Sequence, residues 1–173
     1  MIRPASADDI DDLISIDDDA AHLYGEHGLR VELAPEHPFC RAERLRWHRS
    51  AQLGRAFLAV DARGTGVAFC SLDVLDGEPY LDQLAVRVSA MRRGLGRALL
   101  ERAIEWSLGA GGSALWLTTY DHLPFNRPYY ERYGFIVVPE SSCNAGVLHH
   151  LEEQRRTLPA PADRVAMRRT LSR

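Results

Sequence analysis

The residues best suited to chemistry lie in one stretch, Leu84-Ala85-Val86-Arg87-Val88-Ser89-Ala90-Met91-Arg92-Arg93-Gly94-Leu95-Gly96-Arg97-Ala98. An apolar run ends there, a basic glycine turn follows, and a helical pattern begins. Amides at a helix start point outward, and the helix dipole adds partial positive charge. Glycine lets the backbone approach a diphosphate that a Cβ would hold away. Arg92, Arg93 and Arg97 add longer-range positive charge, so a pyrophosphate suits this turn. An ordinary strand-to-helix turn, whose glycines only satisfy geometry, is the competing reading. Two other phosphate motifs are excluded. The dinucleotide fingerprint needs a small residue where Leu99 stands. The P-loop needs Lys, and all 21 basic residues are Arg. A Schiff base with pyridoxal phosphate is excluded by the same absence.

Met91-Arg92-Arg93-Gly94-Leu95-Gly96 resembles the Q/R-x-x-G-x-G/A signature of the GNAT superfamily of N-acetyltransferases. Met91 replaces the usual Gln or Arg, and Val88 stands where a Pro often occurs. Downstream, Asn126-Arg127-Pro128-Tyr129-Tyr130-Glu131-Arg132-Tyr133-Gly134-Phe135 is similar to the family's F-Y-x-x-x-G-F block, with Tyr129 in place of Phe. The resemblance covers residues 80–138 and implies an α/β (α+β) fold. Its expected sheet is mixed and mostly antiparallel, with about seven strands flanked by helices and a splayed fourth and fifth strand. It implies transfer of the acetyl group of acetyl-CoA to a primary amine of a small molecule or peptide, by direct attack in a ternary complex. An acyl-CoA sensor without turnover, and a transferase for a longer acyl-CoA, are the alternatives.

The same resemblance distributes roles. Leu84, Ala85 and Val86 are expected to offer backbone groups to pantetheine, one N–H serving as oxyanion donor. Arg92, Arg93, Gly94, Leu95, Gly96, Arg97 and Ala98 are expected around the diphosphate, and Asn126 at a position that often contacts the cofactor. Asn126 is equally suited to capping the helix that follows. Tyr130 matches the frequent general acid, since a phenol with a pKa near ~10 stays protonated and can donate to a departing thiolate. A packing role beside Tyr129 and Tyr133 is the other reading. Helical residues in sequence diverge by about 100°, so Tyr129 and Tyr130 cannot face one side. Asp82 is the candidate base, or else a solvated edge carboxylate, with Glu78 a weaker candidate. Tyr24, His27 and His122 are expected near the acceptor amine. Many GNAT relatives dimerise, so a homodimer is one open alternative, and nothing in the sequence specifies an interface.

The elements that must position these residues are legible from periodicity. Ser6 and Asp9 suggest a capping box before a helix over residues 7–23, and Phe39 to Leu53 carries a second amphipathic pattern. Residues 56–60, 67–75 and 80–88 read as an antiparallel meander separated by Gly-containing turns. A helix over 94–108, a buried strand over 115–119 and a short helix over 127–133 follow. Strands over 135–138 and 164–171 enclose a helix over 147–157. The order is strand, two helices, three strands, helix, strand, helix, strand, helix, strand, which predicts a mixed sheet covered by helices.

Composition narrows the function further. At 173 residues, with 46% hydrophobic, the chain suits a single domain over residues 1–173 with a substantial core. A net charge of −3 argues against a nucleic-acid partner. Three cysteines without C-x-x-C spacing, and seven histidines without ligand spacing, predict no metal site. No apolar run is long enough for a membrane span, and no leader is expected at Met1-Ile2-Arg3-Pro4. A cytoplasmic location is the expectation.

Overall fold

A computed structural model of the chain describes residues 1–172. Its seven strands form one mixed sheet in the order β1-β2-β3-β4-β5-β7-β6, and helices flank it. The strands are β1 (Ile2–Pro4), β2 (Ala56–Val60), β3 (Gly66–Leu75), β4 (Glu78–Val86), β5 (Ala114–Tyr120), β6 (Ile136–Val138) and β7 (Arg164–Thr170). The helices are α1 (Ile10–Gly25), α2 (Pro38–Gln52), α3 (Leu95–Gly109), α4 (Arg127–Glu131) and α5 (Ala145–Thr157). The fold class expected from the motifs is the one observed. Beside the antiparallel β1–β2, β2–β3, β5–β7 and β6–β7 pairs stands one parallel pair, β4–β5, in register at Tyr80↔Trp116.

Two compact units divide the chain. The first comprises Met1–Asp73 and Leu81–Trp106. Its core follows from the period of α1: Leu13 and Ile16 are fully buried, and Ile10, Ile14 and Ala20 pack around them. Trp47 of α2 meets Phe69 of β3 edge-on at 5.2 Å. All five residues of β2 are buried, as an unbroken apolar run in a covered strand requires. Burying each large aliphatic side chain here contributes about 2 kcal/mol. The entry to α1 is fixed by the expected Ser6–Asp9 box, in which Ser6 N–H donates to Asp9 Oδ2 at 2.7 Å. Arg3 clamps the same carboxylate with two bonds at 2.7 and 2.8 Å.

The second unit comprises Val74–Tyr80 and the chain from Ser107 onward. β5 and β7 pair over seven residues, from Ala114↔Thr170 to Tyr120↔Arg164. Tyr80, Trp116, Val138, Val147, Leu151 and Ala166 form its core. His149 and His150 diverge on α5: His150 stacks on Tyr80 at 5.1 Å, while His149 approaches Glu153 at 3.5 Å.

Several sequence expectations need correction. The short helix α4 stops at Glu131 rather than residue 133, because the chain winds tightly toward Gly134 at φ 82° and Phe135 N–H returns to Tyr130 O. Asn126 makes no side-chain capping bond there. Elsewhere in this unit, Arg155 bonds Glu140 Oε1 at 2.6 Å and the Arg164 carbonyl at 2.9 Å, tying α5 to β7. No helix among the described residues is long and apolar enough to cross a membrane.

Candidate active site

In the first unit, Asp82 projects from β4 toward α2 and is not solvated. Its side chain is 1% exposed, and both carboxylate oxygens accept from Arg46 Nε, at 3.1 and 3.2 Å. The alternative of a solvated edge carboxylate is thereby overturned. The next residue, Gln83, makes two bonds of opposite sense. Its Nε2 donates to Asp17 Oδ1 of α1 at 2.6 Å, and its Oε1 accepts the Leu84 N–H at 3.0 Å. Burial pushes the Asp17 carboxyl up to about 7, with Asp18 and Asp82 adding to the rise and Gln83 and Arg44 opposing it. Part of Asp17 still reaches the surface, so this is a desolvated carboxylate at the edge of the core. Ala85 is buried, and Leu84 and Val86 are partly so.

After β4, a single turn of 3₁₀ helix over Val88–Ala90 leads into the glycine turn. Here Arg92 and Gly94 both take the left-handed conformation, at φ 61° and 79°. A non-glycine residue held there stores about 1 kcal/mol or more, and such strain concentrates at functional turns. Left-handed residues alternating with ordinary ones bend successive amides toward one concavity, which suits an anion. α3 begins at Leu95, and Ala98 N–H closes its first turn on Gly94 O at 3.0 Å. Helix geometry directs the amides of residues 95–97 out of the end. Arg92 and Arg93 are exposed, whereas Arg97 is drawn along the helix to Glu101 at 2.8 Å. All three expected arginines are thus exposed around the turn, Arg97 with Glu101 as its ion-pair partner.

Tyr24 is half-buried near the end of α1, and His27 is exposed just after it, its ring nitrogen 3.2 Å from Leu23 O. Arg46, Asp17 and Gln83 were not singled out from the sequence. The available signal was the run Asp17-Asp18-Asp19 inside a helix whose core face is Leu13 and Ile16: one of three consecutive acids has to turn back toward the protein.

In the second unit, Tyr130 is 9% exposed on α4 and sits edge-on to Tyr129 at 5.3 Å and Phe135 at 5.7 Å. Asn126, buried, precedes it by four residues, and its carbonyl accepts the Tyr130 N–H at 3.1 Å. His122 is exposed and lies 3.7 Å from Asp163. Glu78 is a structural connector at the start of β4. Burial pushes its carboxyl up, but hydrogen bonds from the Ser113 hydroxyl and the Ser113 and Ala114 amides outweigh this and hold it below the usual range. No group of three or more His, Cys, Asp or Glu suited to a metal occurs among the described residues.

A glycine turn between a strand and a helix, on a seven-stranded mixed sheet with one parallel pair, is the architecture that the two motifs led us to expect. The sequence model described as "Acetyltransferase (GNAT) family" matches residues 16–135, and the chain belongs to that family. Solved structures share the fold at low identity. The PaiA N-acetyltransferase of Thermoplasma acidophilum, in complex with coenzyme A, superposes with a TM-score of 0.69 at 16% identity, covering 98% of each chain. A Mycobacterium tuberculosis protein in complex with CoA gives 0.72 at 15% identity, covering 99% of each chain. N-acetylglutamate synthase of Neisseria gonorrhoeae, complexed with coenzyme A and N-acetyl-glutamate, gives 0.71 at 17% identity. All of the present chain is covered there, but it spans only 35% of the synthase's length.

Proposed function

We propose that residues 1–173 form a single N-acetyltransferase domain that moves the acetyl group of acetyl-CoA to a primary amine by direct attack. The observation that carries this reading is the turn between β4 and α3, with Arg92 and Gly94 left-handed and the α3 amides opening behind them. The residues present fit the donor. The amides and guanidinium groups of residues 92–98 would hold its diphosphate, and the backbone of Leu84, Ala85 and Val86 its pantetheine arm. When bound, the donor supplies a thioester carbonyl open to attack. That three of the neighbouring folds were solved with coenzyme A supports the assignment.

The chain's own residues supply the rest. A β4 amide stabilises the oxyanion. Tyr130, a buried phenol, holds the proton that the departing sulfur needs. Asn126 borders the donor. Asp82 is the family-position candidate for taking the amine's proton, while Tyr24, His27 and His122 are the candidates for acceptor contact. Calorimetry with acetyl-CoA should give saturable binding, and thiol release should follow when amines are added. Absence of binding at millimolar acetyl-CoA, on folded protein, would remove the function altogether.

A further inference from the structure

Two carboxylates meet the middle of β4, and they are not equivalent. Asp82 is held by Arg46 through both oxygens and is almost completely enclosed, so accepting a proton means dismantling a buried ion pair. Asp17 has no such partner bond: its Oδ1 receives one neutral donor, Gln83 Nε2, at 2.6 Å. The other end of that amide lies on the Leu84 N–H at 3.0 Å, so one side chain connects the Asp17 carboxylate to the β4 backbone. In the unliganded protein Gln83 thus ties Asp17 to the backbone of β4.

We propose that Asp17, oriented by Gln83, and not Asp82, is the group that takes the proton from the acceptor amine. This rests on the transferase reading above. One ammonium proton passes to Asp17; the nitrogen lone pair then forms the N–C bond as the C–S bond breaks. The second proton leaving nitrogen is balanced by the one the sulfur takes up, and Asp17 returns its proton to solvent. The groups that face Asp17 are Asp18 on its own helix, Arg44 and Cys40 on α2, and Asp82 on β4. Their net effect with burial leaves the carboxyl at about 7, where a base both accepts and returns a proton readily.

The test compares Asp17→Asn with Asp82→Asn and wild type, using the panel amine (glutamate, spermidine, kanamycin and an alanine-ended peptide) that gives the fastest thiol release. Asparagine keeps the acceptor for Gln83 and removes only the ionisation. Wild-type kcat/KM for the amine should rise with pH through about 7. Asp17→Asn should lower it by roughly 10²-fold or more and abolish that limb, with acetyl-CoA affinity by calorimetry unchanged within about twofold. Asp82→Asn should keep the limb. In parallel, the ¹³C carboxyl resonance lost in Asp17→Asn should titrate near 7 in the wild type. A limb that survives in Asp17→Asn, its loss in Asp82→Asn, or an Asp17 resonance titrating near 4 overturns the assignment while the transferase reading stands. No thiol release by wild type with any amine sinks the transferase reading and this assignment together.

Discussion

Arg46 and Asp82 show how much one buried contact can be worth. Removing one partner of an enclosed ion pair leaves an uncompensated charge, which costs about 3 kcal/mol or more. Arg46→Met should therefore lower the urea midpoint by that equivalent, and Arg46→Met/Asp82→Leu should recover most of it, because neither charge is then stranded. Tyr130 answers to a different measurement. Tyr130→Phe keeps the ring packing against Tyr129 and Phe135, so the variant should remain folded while kcat falls by roughly 10²-fold. An unaltered kcat would leave Tyr130 as packing alone. Tyr130 was legible in the sequence because it sits in a motif. Asp17 and Gln83 were not, since their importance lies in a bond across 66 residues that no local pattern encodes.

At the scale of elements, two glycines serve different physical ends. Gly94 stands at φ 79° with nothing within 4 Å of an added Cβ, so Gly94→Ala should cost only backbone strain, about 1 kcal/mol. Its larger effect should be on the glycine turn, read as weaker acetyl-CoA binding by calorimetry. Gly112, between α3 and β5, is held by space instead: an added Cβ would come within 2.5 Å of two ring carbons of Pro79. Gly112→Ala should destabilise by about 1–3 kcal/mol in thermal unfolding, and Pro79→Ala should relieve much of it. Strand and helix positions were legible because apolar period and turn residues specify them locally. β2 matches its expected limits of 56–60, and the α3 pattern over 94–108 is displaced by one residue. The fourth strand starts at Glu78 rather than residue 80, because Glu78 reaches Ser113 and Ala114 and draws the turn into the sheet. Long-range bonds of that kind decide boundaries, and the chain order does not reveal them.

For the whole molecule, three carboxylates pull the pH dependence of stability in opposite directions. Asp9 lies below the usual range, chiefly through the Arg3 hydrogen bond, and Glu78 lies below it through its Ser113 and Ala114 bonds. Their contribution is present above the unfolded carboxylate pKa near ~4 and is lost as acid protonates them. Asp17 is raised, so its contribution is complete below about pH 4 and declines as pH climbs through about 7. Urea midpoints should therefore show Asp17→Asn matching wild type near pH 4 and exceeding it at pH 8. A difference that grows toward acid would contradict the sign.

The bond between Leu84 N–H and Gln83 Oε1 carries a kinetic consequence. On the function proposed above, a carbonyl arriving at that amide would displace an internal occupant, so docking of the thioester arm would be a competition rather than entry into a vacancy. Gln83→Met would withdraw the competitor, and the Leu84 amide should then exchange its hydrogen with solvent faster in the unliganded protein. Addition of acetyl-CoA should slow that exchange again in both forms.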